Sequence, residues 1–296
     1  MTAAPELDAI IATLATDLKA ALAQKSPAAL AALEERRHQL LAHHLGFAPG
    51  RPIDPVFVVG DSHVLFFGGE NGLNQIKHSH VGFWRPHHIT RGLDLLPCFH
   101  TRHLGPATAW RAVESGSSTR AREKIDALVR RELFPGKRVL LSFGEIDCRC
   151  HIPKVVLAGS SPRDAVRETV ERSLRLARHL QSRGVRVAMW GPAMVMARAE
   201  IRANNPLAGI GSFALRTEIV HAYCDLLHEK CAALQLPCVT LAGTYHPWSQ
   251  PADPEFFCDG FHLSQRLMPQ ALKALLDSGA LALQTSTAVP PGSNPN

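Results

Sequence analysis

No stretch of this 296-residue sequence comes near the roughly 18 consecutive apolar residues of a membrane-spanning helix, and no membrane partner is expected. The N-terminus, MTAAPELDAIIATLATDLKAAL, also lacks the basic-then-apolar order of a secretory signal. Glu6 and Asp8 stand where basic residues would, which points to a cytoplasmic protein. Cysteine is scarce and odd in number, seven in all (98, 148, 150, 224, 231, 238 and 258). A chain of this size builds its own core, so reduced thiols are expected rather than a disulfide framework. Cys148-Arg149-Cys150-His151 has no second pair at finger-like spacing and reads as buried or strand-end thiols, not a zinc clip. Charge is modest: 32 Lys and Arg against 26 Asp and Glu leave +6, a basic balance that favours anionic partners at long range. The arginines are scattered along amphipathic stretches and no RNA or DNA module is present, so no nucleic-acid partner is expected.

What is present is a globular composition, 46% hydrophobic and 20% charged, without internal repeats. Residues 5 to 45 read as two helices broken at Ser26-Pro27, where serine suits the N-cap and proline the first helical position, with Gly46 ending the second. This is a helical hairpin over 1–50, followed by the Gly- and Pro-rich linker GFAPGRPIDP (46–55). The main domain spans 51–283. Its short apolar runs VFVVG (56–60), DLLPCFH (94–100), RVLLSFG (138–144), VRVAMWG (185–191) and PCVTLAG (237–243) have the character of strands buried on both faces. Helical periodicity fills 118–133, 161–184, 212–235 and 264–279, with Ser or Ser-Pro at several starts. The alternation predicts an α/β domain, a parallel sheet with helices on both faces. QTSTAVPPGSNPN (284–296) is expected to be a disordered tail.

In such a sheet, ligands gather at the carboxyl ends of the strands, where loops converge and helix N-termini offer unpaired N–H groups. Three polar segments fall there: Gly60-Asp61-Ser62-His63, FGEIDCRCH (143–151) and FFCDGFHLS (256–264). A serine hydroxyl needs a base to take its proton, and that base is a histidine held in one tautomer by an acceptor. Asp259 and His262, three residues apart in a tight turn, can face the same way and leave Nε2 for Ser62.

VVGDSH resembles the first block of the SGNH or GDSL hydrolases, with Ser62 in the nucleophile position, and DGFHLS resembles their last block, the Asp-x-x-His that would supply Asp259 and His262. The resemblance covers residues 56 to about 280. It implies a three-layer α/β/α sandwich around a five-stranded parallel sheet, and an enzyme that cleaves or transfers ester-linked acyl groups with no cofactor. An O-acylated carbohydrate is the expected substrate, and water or a second hydroxyl could accept the acyl group. In the family, the developing oxyanion is held by the serine N–H, a glycine N–H and the asparagine of a Gly-x-Asn-Asp block, each such donor being worth roughly 3 kcal/mol. Gly105 is the best-placed glycine here, with Gly92 and Gly116 as alternatives. Gly144-Glu145-Ile146-Asp147 keeps Gly144 and Asp147 of the third block but has Ile146 where the asparagine belongs. Arg149, or His151, could fill that gap, and Arg149 could equally hold an acidic group on the substrate. The other reading makes Glu145, Asp147 and Arg149 an ion-pair network that stabilises the loop. His63 lines the pocket or caps the turn.

Two other functions compete. Asp61 and His63 match the Asp-x-His that opens metallophosphoesterases, and His78, His80, His87, His88, His100 and His103 could add ligands, though their spacing is irregular and the later blocks are missing. A non-catalytic carbohydrate-binding module with a degenerate site is the third reading, supported by Ile146. The serine-hydrolase reading calls for no metal. Oligomeric state cannot be read from the sequence.

Overall fold

The computed structural model describes residues 4–24, 26–44, 54–69, 88–193, 195, 209–243 and 247–282. Most of the linker, His78, His80, His87, most of the loop at 196–211 and the C-terminal tail lie outside these residues. The chain opens with helices α1 (Ala4–Gln24) and α2 (Pro27–His44). Ser26 Oγ accepts the Ala29 N–H at 3.2 Å, the cap its position promised. Ile11, Leu14, Ala15, Leu18 and Leu33 of this hairpin are buried in the same apolar cluster as the strands. Arg37 adds a polar tie, donating from Nε to the Leu95 carbonyl at 2.6 Å.

The sheet has the strands β1 (Val56–Gly60), β2 (Thr90–Arg91), β3 (Phe99–His103), β4 (Arg138–Ser142), β5 (Arg186–Trp190) and β6 (Cys238–Val239), in the order β2-β3-β1-β4-β5-β6. The expectation of five parallel strands is corrected to a mixed sheet of six, because β2 pairs antiparallel with β3 through Thr90–His103 and Arg91–Arg102. Two residues leave no periodicity to read. β3 also begins later than the apolar run at 94–100. Asp94 sits in the left-handed region (φ 47°), and its carboxylate accepts both the N–H and the hydroxyl of Thr101 at 2.7 Å, so the run opens as a turn.

Helices α3 (Ala121–Arg131), α4 (Ile152–Leu157), α5 (Pro162–Gln181), α6 (Phe213–Ala233) and α7 (Met268–Asp277) complete an α/β sandwich. Ser161 and Ser212 cap α5 and α6 by accepting the N–H groups of Asp164 and Leu215. The parallel register sets the stage for the site. Gly60 is level with His103 on one side and Ser142 on the other. Ser62, Gly105 and Gly144 each follow two residues later, so all three leave the same carboxyl edge from adjacent strands.

Candidate active site

Backbone crowding delivers Ser62. A Cβ on Gly60 would lie 1.8 Å from the Ser142 carbonyl oxygen, so only glycine lets β1 close on β4 at its end. The chain then tightens into a 3-10 turn, Ser62–Phe66, which Asp61 caps by accepting the His63 N–H at 2.9 Å. Asp61 is wholly buried, and burial pushes its carboxyl well above the ordinary range, against the pull of the His63 N–H.

The loop that carries His262 is pinned on both sides. Phe257 and Leu263 form an antiparallel bridge, Cys258 N–H donates to the His262 carbonyl at 2.9 Å, and Ser264 N–H donates to the Phe256 carbonyl at 2.7 Å. Inside that clasp the Asp259 carboxylate accepts the backbone N–H groups of His262 (3.0 Å) and Phe261 (3.2 Å) through Oδ1, and faces His262 Nδ1 at 2.7 Å through Oδ2. Burial works against the charge, but these hydrogen bonds win and hold Asp259 down at about 2. A carboxylate beside Nδ1 fixes the proton there. Nε2 is then a bare acceptor, and it lies 2.7 Å from Ser62 Oγ. Gln265 ties this loop to the serine turn by donating from Nε2 to the Phe66 carbonyl at 2.7 Å. The array can therefore pass the serine proton to the imidazole while the carboxylate supports the resulting cation.

His63 packs against His262 with ring centroids 4.6 Å apart and planes tilted by 30°, and burial, then the neighbouring His262, lowers its pKa well below the ordinary value. Both effects favour its neutral form beside the His262 imidazole. Asp61 and His63 line a narrow crevice with Ser142, Glu145, Trp190 and Leu263. Asp61 Oδ2 and His63 Nε2 are both buried there without a partner.

Gly105 (φ 94°) lies two residues past the end of β3, as Ser62 lies two past the end of the neighbouring β1. The alternatives are engaged elsewhere: Gly92 N–H donates to Thr101 Oγ1 at 3.1 Å and Gly116 N–H to Glu123 at 2.6 Å. Gly144 has φ 105°, and a Cβ there would meet the Tyr223 hydroxyl at 2.7 Å. Among the described residues, no ion pair joins Glu145, Asp147 and Arg149. Each acid is instead spent on backbone. Asp147 accepts the N–H groups of Ala109 (2.6 Å) and Trp110 (3.1 Å), anchoring the segment after Gly105, and Glu145 accepts the Ala193 N–H at 2.8 Å. Burial raises Asp147 to about 6 despite its two donors. Burial likewise raises Glu145, opposed by the Arg149 charge and the Ala193 N–H. Ile146 is buried and apolar. Arg149 lies on a π turn, Asp147–His151, with its guanidinium over the Phe261 ring at 4.1 Å, whereas His151 packs on Trp110. Phe261, under the Arg149 guanidinium, and Arg216, whose charge acts on Glu145, were passed over by sequence reasoning. Phe261 could have been found from its place inside the Asp259–His262 turn; nothing local marked Arg216.

For a metal ion, the described residues contain no group of three or more His, Cys, Asp or Glu side chains placed to hold one. His88 faces a groove on α3, and His100 sits 3.6 Å from Asp94.

No known family pattern matches the chain, and no curated protein does. Among solved structures it is similar to a GDSL-like lipase from Bacteroides thetaiotaomicron (11% identity, covering 82% of this chain and 98% of that one, TM-score 0.44). It is also similar to phospholipase A1 from Streptomyces albidoflavus (12% identity, 77% and 100%, TM-score 0.43). A third is an extracellular lipase from Streptomyces rimosus (10% identity, 76% and 99%, TM-score 0.42). At such scores the chemistry rests on the side-chain geometry alone. The cytoplasmic placement expected from the N-terminus does not stand, since these similar structures are bacterial lipases and one is an extracellular enzyme. That no helix among the described residues is long and apolar enough to cross a membrane says nothing further about location.

Proposed function

We propose that the protein is a serine esterase or acyltransferase of the SGNH type that acts on an acyl ester. Ser62 Oγ attacks the ester carbonyl carbon while its proton passes to His262 Nε2, and Asp259 supports the imidazolium through Nδ1–H. The N–H groups of Ser62 and Gly105 hold the oxyanion of the tetrahedral intermediate. As the intermediate collapses, His262 returns the proton to the departing alkoxide, leaving an acyl group on Ser62. Water or another alcohol then gives its proton to His262 and attacks the acyl carbon, and as the second intermediate collapses His262 returns that proton to Ser62 Oγ, which leaves as the free serine hydroxyl.

The observation that carries this reading is the unbroken contact from Asp259 Oδ2 to His262 Nδ1 and from His262 Nε2 to Ser62 Oγ, each 2.7 Å. Short acyl esters of carbohydrates are the first natural substrates to try. The test compares p-nitrophenyl acetate turnover by wild type and Ser62→Ala, with and without a chelator, alongside fluorophosphonate labelling located by mass spectrometry. Serine-dependent, chelator-resistant turnover with the label on Ser62 supports the proposal. Chelator-sensitive phosphatase activity would transfer the function to a metallophosphoesterase built on Asp61 and His63. Silence across an ester panel, without labelling, would leave a binding module.

A further inference from the structure

Arg149 is only 8% exposed, yet its Nε and Nη1 groups meet no acceptor. Its placement is built by the backbone. Pro153, near the start of α4, has no N–H to give the Arg149 carbonyl four residues back. The helix opens there into the π turn, closed by the Ile152 N–H on the Asp147 carbonyl, and the Arg149 carbonyl accepts the N–H of Ile210 at 2.8 Å. The guanidinium is thereby laid on Phe261, whose chain neighbour is His262.

A second guanidinium lies alongside. A Cβ on Gly209 would strike Arg216 Nη1 at 2.7 Å and approach Arg149 Cγ at 3.4 Å, so the bare backbone at 209 passes between the two arginines. The acid that faces both is Glu145, which is already bonded to Ala193 and which burial pushes toward its neutral form. Arg172 makes the contrast plain. It too stacks on an aromatic ring, Trp110 at 4.0 Å, but it is paired with both Glu114 and Glu168. A buried cation short of a counter-charge is costly to a fold, and a site that keeps one on Phe261, the chain neighbour of His262, is shaped to receive an anion.

We propose that Arg149, backed by Arg216, receives an anionic group of the substrate, a carboxylate or a phosphate, so that the serine site selects esters of acidic molecules. The planar fork of a guanidinium fits either group through paired N–H donors. This rests on the serine-ester reading and adds a substrate class to it.

Matched ester pairs test it: mono-p-nitrophenyl glutarate against p-nitrophenyl valerate, 4-acetoxybenzoate against its methyl ester, and 4-acetoxyphenyl phosphate against phenyl acetate. The first two place a carboxylate on the acyl or alcohol side; the third presents a phosphate. Wild type is expected to favour the anionic member of at least one pair by about tenfold or more in kcat/KM, mainly through KM. Arg149→Met should erase that ratio and Arg149→Lys should restore part of it. The lysine variant also serves if the methionine variant does not fold. Ser62 labelling with no charge preference in wild type overturns this proposal and spares the serine mechanism. An equal loss of kcat on both members in Arg149→Met overturns it too, because Arg149 would then serve the oxyanion in place of the missing asparagine. Wild type that neither labels nor turns over any ester sinks both readings.

Discussion

Replacing Asp259 with asparagine tests the proposed chemistry at its most constrained atom. Oδ1 of Asp259 accepts two backbone N–H groups, at 3.0 and 3.2 Å, while Oδ2 serves the His262 ring. Asparagine of the same shape keeps its oxygen on the backbone donors, which puts its amide NH2 against His262 Nδ1. That nitrogen must then accept, so the ring proton moves to Nε2 and points at Ser62 Oγ, where a base is needed. The expected loss is about 10⁴ in kcat, or about 5 kcal/mol in the barrier. The substitution carries a second signature, in stability. Asp259 is depressed from 3.8 to about 2 with a quarter of its side chain exposed, which corresponds to no more than about 2 kcal/mol of folded-state stability. A depressed carboxyl contributes fully above its unfolded value and loses its contribution as pH falls through its folded one. The stability gap between wild type and Asp259→Asn should therefore be open at pH 7 and close between about pH 4 and 2. Steady-state p-nitrophenyl acetate kinetics and urea denaturation across that range measure both. A folded Asp259→Asn protein with more than a tenth of wild-type kcat would refute the tautomer argument.

Other outcomes follow from the same geometry. Gly60→Ala places a Cβ 1.8 Å from the Ser142 carbonyl oxygen and should cost at least about 3 kcal/mol in urea denaturation; a near-neutral result would mean that β1 and β4 do not close this tightly. Asp147→Asn can offer only one oxygen to Ala109 and Trp110 and turns an amide donor toward the other N–H, for an expected loss of about 1–3 kcal/mol at pH 4–5, where the wild-type carboxyl is largely protonated. In wild type this carboxyl is raised from 3.8 to about 6, so the folded state binds the extra proton and the group's share of stability falls by about 3 kcal/mol as pH rises through that window. The asparagine variant should lack that slope in denaturation curves taken between pH 4 and 7.5.

The strands that could be read from the sequence are those whose burial needs no partner. β1, β4 and β5 are apolar on both faces and announce themselves as continuous runs. β3 does not, because Thr101, Arg102 and His103 are buried polar residues. Thr101 is satisfied by Asp94, and Arg102 by Glu132, which donates nothing to a local pattern thirty residues away. A window of hydropathy sees Arg102 as a surface residue; only the tertiary ion pair makes it an interior one.

The site divides along the same physical line. Asp259 and His262 are joined within a single turn, and Ser62 is fixed by a cap one residue before it, so their arrangement follows from segments a few residues long. The third block is different. Ile146 stands where the resemblance would expect a donor, and what lies near it depends on a helix that Pro153 opens and on a backbone N–H at Ile210, far along the chain. Asp147, too, matches its motif by position while its work is to anchor Ala109 and Trp110 beside Gly105. Asp147 thus holds the segment that follows Gly105, while Arg149, two residues on, lays its charge over the Phe261 ring next to His262. In this segment the side chains that could touch substrate are set by tertiary contacts of the backbone rather than by the spacing that first drew attention to it.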